Sequence, residues 1–168
     1  MTTYILARSA GFCFGVERSI RMAEDALQNG ACRCLGELIH NRDAVAALEK
    51  KGLSVIESPA ELPEGERVII RAHGVARAVY EELNARHADI IDATCPLVER
   101  IHTIVREESE KGRQIVVIGD AKHPEIQGIC GWCRDAVVLP DAAALDDWLP
   151  QSVEMPEKPL SIVFQTTQ

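Results

Sequence analysis

Aromatic residues make up only 4% of this 168-residue sequence. A core with so few rings must be aliphatic, as in a parallel α/β sheet buried on both faces. Long apolar runs are absent too, and the longest spans only a few residues. That excludes a membrane-crossing helix, which needs about 20 apolar residues. The start, Met1-Thr-Thr-Tyr-Ile5, lacks the charged head and apolar stretch of a secretion signal, so a cytoplasmic protein is expected. Basic residues are outnumbered, 18 to 26, for a net charge of −8. This balance argues against a nucleic-acid partner. It leaves an anionic small ligand open, because local donors can outweigh global charge.

What is present is ordinary in bulk: 46% hydrophobic and 26% charged residues, enough for one domain or two small ones. The six cysteines are less ordinary. Without a leader they point to a reducing compartment, where metal binding or redox chemistry is a sharper reading than disulfides.

Taken in order, Tyr4-Ile-Leu-Ala7 reads as a first strand, and a helix runs from Val16 to about Asn29. Arg33–Ile39 is a strand, with Asn41 capping a helix from Arg42 to about Lys51. Leu53–Ile56 and Arg67–Ala72 are strands joined by a turn-rich connection, and a helix spans about Ala76–Arg86. Ala88–Ile91 reads as a buried strand, and a helix begins at Pro96 and runs to about Lys111. Strands follow at Gln114–Ile118, Ala136–Leu139 and Leu160–Phe164. Short helices follow Pro124 and cover Ala142–Leu149. Gln151–Pro159 is a polar, proline-rich loop. The alternation predicts an α/β fold of mostly parallel sheets.

Cys13, His40, His73, Cys95, His123 and Thr166 each follow a strand and precede a helix or the last residues. Ligands of parallel sheets gather outside the carboxyl ends of the strands, so all six are expected on one rim. The order Cys-His-His, then Cys-His-Thr, reads as two repeated α/β units, 1–95 and 96–168, the second unfinished.

Each residue has a blander reading. Cys95 sits at a helix N-terminus after a strand, where amide hydrogens and the helix dipole face its sulfur. This suits a metal ligand or a nucleophile, but also a small buried cap. Cys13 has the same address. Cys130-Gly-Trp-Cys133 has metal-like spacing but lies in a turn-like stretch without a second pair. Cys32 and Cys34 are read as structural thiols on opposite faces of a strand, and His87 and His102 as solvated. His40, His73 and His123 could be surface groups, or together an anion cradle. Glu125 could merely complement a helix dipole, or hold a proton for a leaving group. Thr166 and Thr167 could cap a helix or bind a substrate hydroxyl.

Six motifs then come together: Gly11-Phe-Cys-Phe-Gly-Val16, His40-Asn41, Arg71-Ala-His-Gly-Val75, Asp92-Ala-Thr-Cys-Pro96, His123-Pro-Glu125 and Gln165-Thr-Thr167. In this order they resemble the 4-hydroxy-3-methylbut-2-enyl diphosphate reductase (LytB) family. The resemblance implies a trefoil of three α/β units around a [4Fe-4S] iron–sulfur cluster, each unit giving one cysteine. It implies the last step of the methylerythritol phosphate route to isoprenoids, in which an allylic alcohol diphosphate is reduced to isopentenyl and dimethylallyl diphosphate. A ferredoxin- or flavodoxin-type donor is implied for the electrons. By position, Cys13 and Cys95 match cluster ligands, and His40, His73 and His123 match diphosphate binders. Glu125 matches the proton donor, and Thr166 the residue that places the substrate hydroxyl. The family's third cysteine has no match here, so the sequence is read as a fragment covering two of three units. The alternatives are a thiolate metal-binding domain and a plain phosphate-binding α/β domain.

Overall fold

The computed structural model describes residues 3–5, 7, 10–151 and 158–167, with the backbone alone at 150 and 151. Among them, two all-parallel sheets form. The first contains β1 (Cys32–Leu35), β2 (Leu53–Ile56), β3 (Arg67–Ile70) and β4 (Asp89–Asp92), in the order β2-β1-β3-β4. The second contains β5 (Gln114–Ile118), β6 (Val137–Leu139) and β7 (Leu160–Phe164), in the order β6-β5-β7. The helices are α1 (Phe14–Leu27), α2 (Arg42–Glu49), α3 (Arg77–Ala85), α4 (Pro96–Glu110), α5 (Pro124–Cys130) and α6 (Ala142–Gln151).

Local chemistry sets the ends of these elements. The Asn41 side chain accepts from Ala44 N at 3.0 Å and starts α2. Ser58 and Glu61 form a capping box around a single 3₁₀ turn at Pro59–Glu61. Gly112, at φ +78°, follows the end of α4 in the left-handed region where glycine costs least.

Register then builds the core. Ile69 pairs with Cys34 on one side and Ile91 on the other, a row that packs under α1 and α2. The opposite face carries Leu35, Val68 and Ile70 against Val75, Leu83 and Leu62. In the second sheet, Ile115, Val117 and Val163 pack on α4 and α5 through Val105, Ile126 and Ile129.

Four expectations change. Tyr4, Ile5 and Ala7 form no strand, with Tyr4 89% and Ile5 94% exposed, and Leu6 lies outside the described residues. A strand needs a neighbour for its backbone groups, and none of the described strands pairs with this one. β1 stops at Leu35 because Gly36 turns to φ +73°, although Leu38 and Ile39 stay buried beyond it. β4 is a half-exposed edge strand rather than a buried one. Cys32 and Cys34 share one face and one core, as the two-residue period of a strand requires. Of the expected Gln151–Pro159 loop, residues 152–157 lie outside the described residues.

Candidate active site

Several hydrogen bonds anchor the segment after β4 at the rim. Asp92 accepts from Thr94 N at 2.9 Å and from the Tyr80 hydroxyl at 2.8 Å. Ser19 Oγ donates to Ala93 O at 2.7 Å, and Arg18 donates to Thr94 O at 3.0 Å. Cys95 N donates to Ala72 O at 2.9 Å. Cys95 is thereby fixed as the N-cap of α4, and Cys13 is the N-cap of α1. Neither side chain caps its own helix, so both sulfurs are free of that duty. Gly15 lies against the Cys95 thiol, and a Cβ there would stand 2.5 Å from Sγ.

Cys13 and Cys95 line one cavity of about 270 Å³ together with His40, His73 and Thr166. Its remaining wall is largely apolar, from Phe12, Val16, Ile39 and Leu97. The histidines after β1, β3 and β5 converge. Ring centroids are 4.1 Å apart for His40 and His73, 5.0 Å for His40 and His123, and 5.5 Å for His73 and His123. Two sheets therefore deliver imidazoles to one point.

Hydrogen bonding fixes the tautomers. His123 Nδ1 accepts from Glu125 N at 3.1 Å, so in the neutral ring Nε2 carries the hydrogen. That Nε2 lies 3.0 Å from His40 Nε2, which must accept. Burial, with the positive fields of His40, His123 and Arg71, pushes the His73 pKa down to about 3. The same causes, burial first and His40 next, lower His123. His73 Nδ1 is buried with no partner.

Glu125 is wholly buried at the start of α5. Thr166 N and Thr166 Oγ1 each donate to its Oε1 at 2.7 Å. Thr167 N donates to its Oε2 at 3.0 Å, and Thr167 Oγ1 donates to the same oxygen. The segment after β7 is thus tied down by one carboxyl group, while Thr166 and Thr167 also line the cavity.

Other residues stand elsewhere. Cys130 and Cys133 pack into the core of the second sheet, and neither lines the cavity. Burial pushes the Cys133 thiol up to about 11, with Cys130 and Asp135 adding to it. His87 is exposed. His102 is not solvated as expected: it is 4% exposed and stacks on Trp132 at 5.4 Å. Its Nε2 is buried without a partner, and burial lowers its pKa to about 4. The sequence held the signal, since Val98, His102 and Val105 form one helical stripe. Among the described residues, no group of three or more His, Cys, Asp or Glu is placed to hold a metal.

The family model for LytB protein matches residues 4–168. The chain belongs to the LytB family. A LytB relative, the 4-hydroxy-3-methylbut-2-enyl diphosphate reductase of Clostridioides difficile, is 46% identical over 136 residues, which are 80% of this chain and 49% of that protein. The reductase of an Azoarcus species is 42% identical, with 97% of this chain and 52% of the relative covered. The solved reductase of Plasmodium falciparum superposes with a TM-score of 0.86 at 29% identity, over 96% of this chain and 50% of that one. A second solved structure, described as the terminal enzyme of the non-mevalonate pathway, has a TM-score of 0.80 at 35% identity and covers 98% of this chain and 58% of that chain. The chain therefore spans about half the length of the curated LytB relatives it matches.

Proposed function

We propose that this chain carries the diphosphate-binding and proton-handling part of a 4-hydroxy-3-methylbut-2-enyl diphosphate reductase, acting in isoprenoid synthesis in the cytoplasm. The single observation behind this reading is the meeting of His40, His73 and His123 beside the Cys13 and Cys95 cavity. The units 1–95 and 96–168 both contribute to it, the first with two imidazoles and the second with one and with Glu125.

The diphosphate would replace the contact between His40 and His123, taking the His123 Nε2–H hydrogen bond for itself. It would also meet the unpartnered His73 Nδ1. The allylic end would then lie along the apolar wall, toward Thr166. Overall, the alcohol takes up two electrons and two protons, the carbon–oxygen bond breaks and water leaves. Hydroxide leaves poorly, so a proton must reach the oxygen as the bond breaks. Glu125 would hold that proton; with the Thr166 hydroxyl turned from Glu125 Oε1, 2.7 Å away, to the substrate oxygen, Thr166 Oγ1 would give its own hydrogen to that oxygen and take the one from Glu125.

Cys13 and Cys95 are the residues of this chain that could hold the iron–sulfur cluster of the resemblance. Cys13 and Cys95 have the right chemistry and share a cavity. Two thiolates fall short of the usual set of about four cluster ligands, so these residues alone do not fit an intact cluster. We infer that they are two of its ligands and that the others come from outside this chain. A ferredoxin- or flavodoxin-type carrier would supply the electrons.

The test is calorimetric titration of the chain with 4-hydroxy-3-methylbut-2-enyl diphosphate. Saturable binding that falls about tenfold or more in His40→Ala and His123→Ala is expected, since each substitution removes a charge-assisted hydrogen bond. Failure of the unsubstituted chain to bind the diphosphate overturns the reading.

A further inference from the structure

The histidine cluster raises a question of charge. His73 and His123 have lowered pKa values, so near neutral pH they offer hydrogen bonds but no net charge. A diphosphate carries several negative charges. Something else must balance part of them.

Arg71 stands two residues before His73, just beyond the end of β3. Its guanidinium packs over Gly36, where a Cβ would run into Nη1 and lie 3.1 Å from both Cδ and Cζ. Its Nε is buried with no hydrogen-bond partner. No ion pair holds it among the described residues. Burial lowers its pKa, opposed by Cys34 and by Glu57, but a guanidinium keeps its proton at any physiological pH. Its positive field acts on both His73 and His123. A part-buried cation that no carboxylate ion-pairs is costly, and an anion placed beside it lowers that cost.

We propose that Arg71 is the fixed cation of this anion site, balanced when a diphosphate occupies the histidine cluster. The proposal rests on reading the cavity as a diphosphate site. The plain alternative is a prop, in which the long side chain merely fills space above Gly36. The two differ in their response to salt, because charge is screened and packing is not.

Inorganic diphosphate is titrated into the chain, and into Arg71→Gln, Arg71→Lys and His40→Ala, at low and at high salt. Arg71→Gln should bind about tenfold or more weakly at low salt, with the gap narrowing at high salt. Arg71→Lys should keep most of the affinity and the salt response. Without ligand, Arg71→Gln should melt at or above the temperature of the unsubstituted chain, because an uncompensated charge has been removed. If Arg71→Gln binds normally while His40→Ala does not, the diphosphate reading stands and this proposal falls. Equal loss at both salt concentrations, or a Gln variant that is unfolded without ligand, also overturns it in favour of the prop. If the unsubstituted chain does not bind diphosphate, both fall.

Discussion

The two sheets are built from the same unit, a strand leading into a helix N-terminus, yet they are finished differently. The four-stranded sheet is covered on both faces, by one core under α1 and α2 and another against α3. The three-stranded sheet has its principal core on one face; on the other the central strand keeps Val116 and Ile118 buried, but on the edge strand Ile162 is 40% and Phe164 57% exposed. The division extends to the site. The first sheet contributes His40 and His73 from a platform covered on both faces. The second contributes Glu125, whose carboxyl group gathers the segment after β7. Apolar burial on two faces holds the first sheet, and a polar network around one acid holds the segment after β7.

The largest expected effect sharpens that contrast. Ile69 is fully buried in the first sheet, and Ile162 is 40% exposed on the edge strand of the second. Ile69→Ala should cost about 2–5 kcal/mol, the range for a buried aliphatic deletion. Ile162→Ala should cost under about 1 kcal/mol, since much of its side chain is already in water. Urea unfolding of the two variants measures this, and equal losses would mean that both faces of the second sheet are as well covered as those of the first.

A second test addresses the seam between the halves. His102, from α4, lies where Gly74 of the first half and Gly128 of the second both lack side chains, and a Cβ at Gly74 would stand 2.5 Å from its Cε1. Its pKa falls from 6.5 to about 4, chiefly through burial, although Asp92 and Glu125 oppose this. A histidine lowered in this way is neutral when folded and takes up a proton on unfolding. Its stabilising contribution is complete above about pH 6.5 and is lost as the pH falls toward 4. His73 adds a loss of the same sign that continues to about pH 3. His102→Phe, which keeps a ring against Trp132, should flatten the fall in melting temperature between pH 6.5 and 4. An unchanged acid profile would show that His102 does not couple the halves to pH.

These contrasts also explain what could be read before the fold was known. The strands Leu53–Ile56, Gln114–Ile118 and Leu160–Phe164 fall where apolar runs meet Gly, Pro or polar breaks, because those signals are local. Tyr4–Ala7 failed because a strand is completed by its neighbour, which its own residues do not encode. The gathering of Cys95, His40, His73, His123 and Thr166 was legible because parallel sheets place every strand-end loop on one side, whereas Cys13 joins them from the N-cap of α1 with no described strand before it. Arg71 was harder to read. A charge on the same face as Ile69 looks like a strand end, and only the absence of a counterion in three dimensions marks it. Cys32 and Cys34 needed only the two-residue period to be placed together.

The smallest effect tests how closely the first half fits the second at the cavity. Gly15 lies in the first turn of α1 with helical geometry, so alanine there is not strained by its backbone and gains up to about 1 kcal/mol of helix propensity. Against this, the new Cβ would sit 2.5 Å from Cys95 Sγ, and overpacking of that kind costs about 1–3 kcal/mol. The second term equals or exceeds the first, so Gly15→Ala should destabilise by no more than about 2 kcal/mol. The sulfur nevertheless has to move, because the contact is with its own atom rather than with a flexible neighbour. Alkylation of Cys95 should therefore change rate by several-fold while Cys13, exposed at its own N-cap, reacts as before. If both thiols keep their rates, the α1 and α4 N-termini have slack between them, and the cavity is less tightly defined by Gly15 than its contact with Cys95 implies.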